Sequence, residues 1–265
     1  MHYRINEVAS MLGISPQTLR FYEQYGVMLH ERVGDGNYRQ YGDDSIDVLM
    51  TLRKYRNCGF TVAQTAKIVM EQNMTKTAEA LEKQADKLLW QAEMNRRIAA
   101  KMQENAKQLR QIQEGINEVE LCRSQQMYMI PVRAEAEENL STNMMKQIGD
   151  IVAWLPLLKW AAWLQKGQAS VGNGFIVQEE DAVFLGIDQW KKSIKMPATM
   201  CFQCVAQWST GTLLNKVEEV RRRIESTGEH VSGNTMAITT GNYHNGKKTF
   251  SYGEIWIEKE QSSGF

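Results

Sequence analysis

The feature that most constrains this chain is a long segment, residues 75–120, which contains no proline and has glycine only at position 115. Core-type residues recur in it in alternate steps of four and three: Leu81, Ala85, Leu88, Ala92, Asn95, Ala99, Met102, Ala106 and Leu109. This spacing is typical of a coiled-coil seam, which an isolated helix cannot bury. We therefore predict a homodimer held by this helix, with Asn95 fixing the register. The alternative is a long helix that packs on its own chain.

A helix-turn-helix is predicted near the N-terminus. Ser15 can cap a helix through its side-chain oxygen, Pro16 suits the first helical position, and Leu19 begins an apolar face. Upstream, Ile5–Leu12 has apolar residues at helical spacing, and Gly13 can take the left-handed turn that ends this helix. Two short helices joined by a glycine turn are typical of a helix-turn-helix, whose second helix meets the base edges of DNA.

The next segments predict a hairpin wing followed by a helix. Tyr38–Tyr41 follows the turn-rich residues Gly34–Asn37, which favours a hairpin. A helix with acidic residues at its start then runs to Cys58 and carries Arg53 and Arg56. These two arginines are three residues apart, so they share one surface. That surface is either an ordinary solvated face or a phosphate-contacting one.

In their order and spacing, these segments resemble the DNA-binding domain of the MerR family of transcription regulators over residues 3 to about 70. The resemblance is carried by Tyr3–Ala9, Thr18–Tyr22, Asn37–Tyr41 and Arg53–Gly59. It implies an antiparallel coiled-coil homodimer on double-stranded promoter DNA. It also implies that the protein activates transcription by distorting DNA. The dimer stays on an overlong promoter spacer, and when ligand binds it distorts this DNA and brings the two promoter elements into alignment for RNA polymerase.

The pattern and the resemblance together indicate eight DNA-contacting residues. On the second helix these are Gln17, Thr18, Arg20 and Tyr22, and beyond it Tyr38, Arg39, Tyr41 and Arg56. Arg20 is the candidate for a bidentate contact to a base or phosphate. The wing residues and Arg56 are expected on the phosphate backbone. The chain has 31 Lys and Arg residues and 31 Asp and Glu residues, so it carries no excess of positive charge. If the N-terminal region binds DNA, its basic side chains must be segregated by face rather than by segment.

Composition is that of a globular chain with two or three domains. Its 265 residues are 43% hydrophobic and 23% charged, which is ordinary for such proteins. The most apolar run, Ile151–Leu164, is too short to span a membrane and contains Pro156 and Lys159. No signal or transit peptide precedes the first helix, so we expect a cytoplasmic protein.

Beyond Cys122 the pattern changes to strands and helices. Strand-like segments are Met127–Val132, Asp181–Asp188, Thr199–Gln207, Thr235–Tyr243 and Thr249–Lys259, and helical stretches are 140–166 and 212–227. We predict an α+β domain of antiparallel strands with helices on one face. The predicted domains are a winged helix-turn-helix at 1–74, a dimerisation helix at 75–120 and an effector domain at 121–265.

The last strand carries an unusual face. Because side chains alternate along a strand, Ile255 and Ile257 point one way, while Tyr252, Glu254 and Trp256 point the other. A carboxylate between two aromatic rings suits a lipophilic cation, which gains both Coulomb and ring-quadrupole attraction there. The alternative is a ligand-free domain in which Glu254 hydrogen-bonds to its own chain.

A second resemblance supports the ligand hypothesis. The ending Glu254–Ile257, after a tyrosine-bearing hairpin, resembles the GyrI-like effector domain of BmrR-type multidrug-responsive regulators. It implies that Glu254 is the cation-facing carboxylate of an aromatic pocket. Tyr252 and Trp256 are our inferred walls, and Trp154, Trp160 and Trp163 are candidate partners, although tryptophans at helical spacing more often belong to a core.

Catalytic and metal-binding alternatives have less support. Cys201 and Cys204 form a CxxC, but residues three apart in a strand face opposite ways. Cys122 stands alone after the long helix, where metal-sensing MerR regulators carry several cysteines. No catalytic or phosphate-loop motif is present, so we predict no enzyme, metal or cofactor. The alternatives left open are a metal or redox sensor using these cysteines and an effector domain that modifies its ligand.

Overall fold

The computed structural model describes residues 2–27, 30–33, 38–71, 73–115, 117–133, 142–164, 172–209 and 211–260. The chain divides into two compact units, Met1–Met94 and Asn95–Phe265. The predicted turn at Gly34–Asn37 lies outside the described residues. None of the described helices is both long enough and apolar enough to cross a membrane.

The N-terminal unit is a winged helix-turn-helix. Its elements are β1 Tyr3–Arg4, α1 Ile5–Leu12, α2 Pro16–Gln24, β2 Glu31–Val33, β3 Tyr38–Tyr41, α3 Asp43–Asn57 and α4 Val62–Glu71. The strands form an antiparallel sheet in the order β1-β3-β2. One hydrophobic core joins the helices and the wing, and its fully buried members include Val8, Leu19, Leu49 and Leu52. The predicted helix-turn-helix is confirmed.

Local capping explains where these helices begin and end. The Ser15 Oγ accepts a hydrogen bond from the Thr18 backbone N–H at 3.1 Å, with Pro16 at the first position of α2. Gly13 ends α1 at φ 60°, a left-handed conformation that glycine adopts without a steric penalty.

The long helix α5 spans Met74–Gln113, and the strand β4, Val119–Arg123, occupies the end of the predicted coiled-coil segment. The predicted seam is largely exposed in the single chain: Leu81 36%, Leu88 45%, Met102 62% and Leu109 42%. Another side of α5, which includes Lys101 and Gln108, is buried in the C-terminal unit. The helix therefore has one side packed on its own chain and a second apolar side left uncovered.

The C-terminal unit is built on an eight-stranded antiparallel sheet. Besides β4, its strands are β5 Met127–Arg133, β6 Lys159–Leu164, β7 Gly172–Gln178, β8 Ile194–Met196, β9 Met200–Ser209, β10 Val231–His244 and β11 Thr249–Lys259. Its helices are α6 Thr142–Val152, α7 Glu179–Leu185, a short 3₁₀ helix Ile187–Gln189 and α8 Leu213–Glu225. The strand order is β4-β9-β11-β10-β6-β7-β5-β8.

The two faces of this sheet differ. On one face, Ile255 and Ile257 are fully buried in a core that α8 completes with Val217, Val220 and Ile224. On the other face, methionine and tryptophan side chains form a second cluster, and the end of α5 reaches Glu254. Helices therefore lie on both faces, whereas one face was predicted.

Two predicted elements were wrong. The helix predicted over 140–166 ends at Val152, and Lys159–Leu164 is instead a strand paired with β10 and β7. Pro156 lacks the N–H that a continuing helix needs. The strand predicted over Asp181–Asp188 is mostly α7, which begins with three acidic residues and ends at Gly186. Acidic side chains at a helix N-terminus and a left-handed glycine at its end both favour that helix.

Candidate functional site

The exposed side of α2 is the candidate DNA-reading surface. Gln17 and Arg20 are exposed, while Leu19 between them is fully buried in the core. Thr18 is half-buried, and its hydroxyl lies 3.0 Å from the Ser15 Oγ, so it is engaged at the helix cap. Core packing on one side and capping at the start thus fix α2 with Arg20 directed away from the unit.

Two of the predicted DNA contacts need correction. Tyr22 and Tyr41 are 1% and 0% exposed, and both belong to the hydrophobic core. Burial raises the pKa of Tyr22, and burial together with the neighbouring Glu23 carboxylate raises the pKa of Tyr41 to about 12. In this structure these phenols support α2 and the wing from within, and their burial leaves them unavailable for contact with DNA. Both lie on apolar helical or strand positions, where core packing is the usual outcome.

The Glu23 carboxylate ties the wing to α2. Arg39 contacts it through Nε at 3.2 Å from Oε1 and through Nη2 at 3.2 Å from Oε2. The Tyr41 hydroxyl donates to the same carboxylate at 3.5 Å, and His30 Nδ1 lies 2.9 Å from Oε1. Arg39 is therefore held by its own chain, whereas Tyr38 is 74% exposed at the start of β3.

Arg56 is also partly committed to its own chain. It is half-buried on α3, and its Nη1 donates to the Phe60 carbonyl oxygen. A guanidinium has five N–H donors, so this bond leaves others for a phosphate. Within the unit, Gln17, Arg20 and Tyr38 are the predicted contacts that the fold leaves most open.

In the C-terminal unit, Glu254 is buried, 5% exposed, on the face opposite Ile255. Its Oε2 accepts from Trp256 Nε1 at 2.7 Å and from Gln203 Nε2 at 3.0 Å. Gln108 of α5 donates to Oε1, and the Lys159 ammonium lies 3.8 Å from the same oxygen. Glu254 is therefore hydrogen-bonded and paired with a cation of its own chain in this structure.

A charge network surrounds Glu254 and fastens α5 to the sheet. Lys159 Nζ donates to Glu104 Oε1 at 2.8 Å. Burial alone would raise the pKa of Glu104, but the ammonium groups of Lys159 and Lys101 together hold it below its ordinary value. Further along, Arg97 pairs with the buried Asp181 at 2.5 Å. Buried ion pairs of this kind are costly to break, because each partner would be left as an unpaired buried charge.

Among the described residues, two of the cavities on this face of the sheet contain Trp256. The first, which we name the charged cavity, has a volume of about 440 Å³ and is lined by Lys101, Glu104, Cys122, Lys159, Gln203, Glu254 and Trp256 among others. The second, which we name the apolar cavity, has a volume of about 310 Å³ and is lined by Met127, Met129, Trp163, Met196, Met236, Trp256 and Glu258 among others. Trp256 and Met127 line both cavities.

Glu258 is the carboxylate of the apolar cavity. It accepts hydrogen bonds from Ser232 at 3.0 Å, from Asn234 at 2.5 Å and from Thr199 at 3.3 Å. Within the part of the chain that the structure describes, no Lys, Arg or His nitrogen forms an ion pair with it. Glu258 thus differs from Glu254, whose charge Lys159 already balances.

The other predicted pocket residues fall in different places. Trp154 packs against Trp190, with ring centroids 5.6 Å apart, and Trp160 packs edge-on against Phe175 at 5.1 Å. Neither lines the charged or the apolar cavity, so both expectations need correction; of the predicted tryptophans, Trp163 and Trp256 do line the apolar cavity. Trp160 alternates with Lys159 along β6, so it faces the other side of the sheet. Tyr252 is half-buried against Gly241 and lines neither cavity.

The cysteines are arranged as the strand pattern predicts. Cys201 lines the apolar cavity, and Cys204 is buried in the core with α8, so the CxxC residues face opposite sides. Among the described residues there is no group of three or more His, Cys, Asp and Glu placed to hold a metal ion.

Comparison with known proteins bears on the N-terminal unit. Residues 3–72 match the model of the MerR HTH family regulatory protein. This segment is therefore similar to the helix-turn-helix region of that family. The uncharacterized HTH-type transcriptional regulator slr0701 of Synechocystis is 37% identical over 65 residues, which cover 24% of this chain and 47% of that protein. The HTH-type transcriptional regulator ZntR of Escherichia coli is 37% identical over 60 residues, or 23% of this chain and 43% of ZntR.

The chain thus spans about half the length of the curated relatives that it matches. Among solved structures, the EcmrR–DNA complex determined by cryo-EM aligns with 97% of this chain and 100% of that chain. Its sequence identity is 14% and its TM-score 0.38, a similarity too low to support any conclusion about the C-terminal unit.

Proposed function

We propose that this protein is a homodimeric, ligand-responsive transcription activator that binds promoter DNA. The observation that carries the proposal is the MerR-type region itself: a capped α2 with Gln17 and Arg20 exposed beside a wing that presents Tyr38. In a helix-turn-helix, such a surface enters the major groove. Arg20 makes the base or phosphate contact, and Arg39 and Arg56 assist at the backbone from positions that their own chain fixes.

The homodimer is supported by the uncovered side of α5. Leu88, Met102 and Leu109 are 45%, 62% and 42% exposed and recur at heptad spacing. A second copy of the same helix has the matching pattern and buries them. Pairing two helix-turn-helix regions lets the protein contact two DNA half-sites, which doubles the phosphate and base contacts.

We infer that the effector is a lipophilic, aromatic cation. The apolar cavity offers methionines and two tryptophans, Trp163 and Trp256, and a carboxylate, Glu258, which suits the charge of such a ligand. Glu254 lies beyond Trp256 in the charged cavity. For Glu254 to face the cation, the ligand has to replace Lys159 as its partner, which leaves Lys159 to Glu104.

Ligand binding at Glu254 has a direct route to α5. Gln108 of α5 donates to the Glu254 carboxylate, and its side-chain oxygen accepts from Thr240 at 2.8 Å. A ligand that competes for Glu254 weakens this attachment of α5 to the sheet. A ligand shifts a conformational equilibrium only if it binds one state more tightly than the other. We propose that the two states are one in which Gln108 is bound to Glu254 and one in which Gln108 is released. The released state is the one that distorts the promoter for RNA polymerase.

The proposal is tested by selecting duplexes from a random DNA library with the full chain and measuring affinity at about 150 mM salt. Arg20→Ala should weaken binding to the selected duplex about tenfold or more, because a bidentate contact is worth about 1–3 kcal/mol. Arg222→Ala, at an exposed position of α8, is the matched control and should bind as the wild type does. Equal affinity of the Arg20 variant and the control would contradict the proposed surface.

A further inference from the structure

Cys122 on β4 and Cys201 on β9 lie directly opposite each other in the register of the sheet. Their Sγ atoms are 4.0 Å apart. Directly opposed residues of antiparallel strands have Cα atoms about 4.5–5.5 Å apart, which is within the range that disulfides span. The two sulfurs can therefore meet by side-chain rotation, without a change in strand pairing.

We propose that Cys122 and Cys201 form a reversible disulfide when the protein meets a hydroperoxide. Neither the DNA-binding nor the ligand-binding proposal is needed for this inference. Cys122 is half-buried and lines the charged cavity, while Cys201 is 3% exposed at the apolar cavity. A small oxidant that enters the charged cavity therefore reaches Cys122 first.

The chemistry assigns a separate role to each sulfur. The Cys122 thiolate attacks the terminal peroxide oxygen, the O–O bond breaks, and an alcohol or water leaves, so that Cys122 becomes a sulfenic acid. The Cys201 sulfur then loses its proton and attacks the Cys122 sulfur; the S–S bond forms, the S–O bond breaks and water leaves. In total, two thiols are oxidised by two electrons and one hydroperoxide is reduced. A dithiol reverses the reaction by exchange.

The electrostatics agree with this order of events. Burial, reinforced by the neighbouring Cys122, raises the pKa of the Cys201 thiol to about 12, so Cys201 remains protonated at neutral pH. A protonated thiol reacts slowly with peroxide, so Cys201 does not react first; its 4.0 Å distance from the Cys122 sulfur lets it react second, when it loses its proton as it attacks the sulfenic acid. Cys204, 1% exposed on the other face of the same strand, is out of reach of this pair.

The disulfide would also change the hydrogen bonds at the charged cavity. The Cys122 thiol donates to Gln203 Oε1 at 3.6 Å, and Gln203 Nε2 donates to Glu254 at 3.0 Å. Oxidation removes the S–H donor from this chain of contacts. It also joins β4, the edge strand that follows α5, to β9 by a covalent bond.

The test uses the reduced full chain, treated with hydrogen peroxide and then with a maleimide, and digested with trypsin without reductant. We expect peptide 111–123 linked to peptide 196–216, with the mass of the two peptides less two hydrogens plus one maleimide on Cys204, and a fall from four free thiols per chain to two once the protein is denatured for labelling. Dithiothreitol should restore all four. Cys204→Ser and Cys58→Ser should keep the link, whereas Cys122→Ser and Cys201→Ser should abolish it.

The inference is overturned if Cys122 accumulates as a sulfenic or sulfinic acid while Cys201 stays a thiol. A link that persists in Cys201→Ser but disappears in Cys204→Ser would overturn it as well, and so would a link between two chains on a non-reducing gel. Fragmentation of the wild-type linked peptide decides the question even if a serine variant fails to fold, because it shows whether the maleimide is on Cys204, as we expect, or on Cys201.

Discussion

The two units of this protein place their polar residues in opposite ways. In the helix-turn-helix unit, the candidate contacts Gln17, Arg20 and Tyr38 are exposed, and the fold beneath them is held by a small apolar core. In the C-terminal unit, Glu254 is buried and already satisfied by its own chain. A surface of the first kind can bind DNA without rearrangement, whereas a site of the second kind must exchange partners when it binds. The proposed ligand-responsive regulator requires this difference.

The largest expected effect tests whether the two units are separately stabilised. Leu19→Ala and Ile255→Ala each remove a fully buried side chain, and each should lower the free energy of unfolding of its own unit by about 3 kcal/mol. Six of the seven tryptophans lie after residue 94. Denaturation followed by tryptophan fluorescence should therefore shift for Ile255→Ala and hardly at all for Leu19→Ala, while helical circular dichroism should shift for both. Equal fluorescence shifts would mean that the units unfold together.

The second effect concerns a buried phenol in the N-terminal unit. The pKa of Tyr41 is raised to about 12 in the folded protein from an ordinary value of 10.0. Because the folded state keeps the phenol protonated, the raised pKa contributes stability that is fully present below pH 10 and is lost as the pH rises from 10 to 12. By pH 12 the loss amounts to about 2 kcal/mol. Wild type should lose stability across that interval in urea titrations. Tyr41→Phe should lack this loss, and an identical alkaline profile for the two proteins would contradict the burial of the phenol.

A third prediction concerns the two carboxylates of the C-terminal unit. Tetraphenylphosphonium should bind the wild type in calorimetry, and Glu258→Gln should raise its Kd about tenfold, equivalent to about 1.4 kcal/mol. Glu254→Gln should weaken binding by less, because Lys159 already balances the Glu254 charge. Glu225→Gln, at an exposed position of α8, is the control. Binding that is indifferent to both cavity variants would remove the cation site and leave the DNA-binding proposal standing.

The smallest effect is expected at Glu104. Its pKa is held below the ordinary value of 4.5, so it stabilises the fold at neutral pH and loses that contribution as the pH falls through the lowered pKa. The side chain is 36% exposed, and solvent screening reduces the effect. The stability difference between wild type and Glu104→Gln should shrink as the pH falls below the ordinary value of 4.5 and through the lowered pKa. A difference that stays constant with pH would show that Lys159 and Lys101 do not act on this carboxylate.

The helix-turn-helix could be predicted from sequence because its signals are local. Ser15 caps α2 across three residues, and Gly13 ends α1 within one turn. The burial of Tyr22 and Tyr41 was the part that escaped prediction, since a tyrosine on an apolar position and one on a DNA-facing position look alike in a single sequence.

The partners of Glu254 in the proposed ligand site escaped prediction because they are distant along the chain. Gln108 reaches Glu254 across 146 residues, and Gln203 reaches it across 51. No local pattern marks Gln108 or Lys159 as partners of the last strand. The alternation of side chains along β11 correctly separated Ile255 and Ile257 from Glu254 and Trp256. Trp160 and Trp163 were predicted to lie on one helix, whereas they lie on opposite sides of the strand β6.

The most direct test of the central claim is a DNase I footprint of the full chain on its selected duplex at about 150 mM salt. The account predicts protection of two symmetric half-sites by the wild type and loss of that protection in Arg20→Ala. Protection of a single half-site would contradict the homodimer. Failure of the wild type to protect any duplex would contradict the DNA-binding function itself.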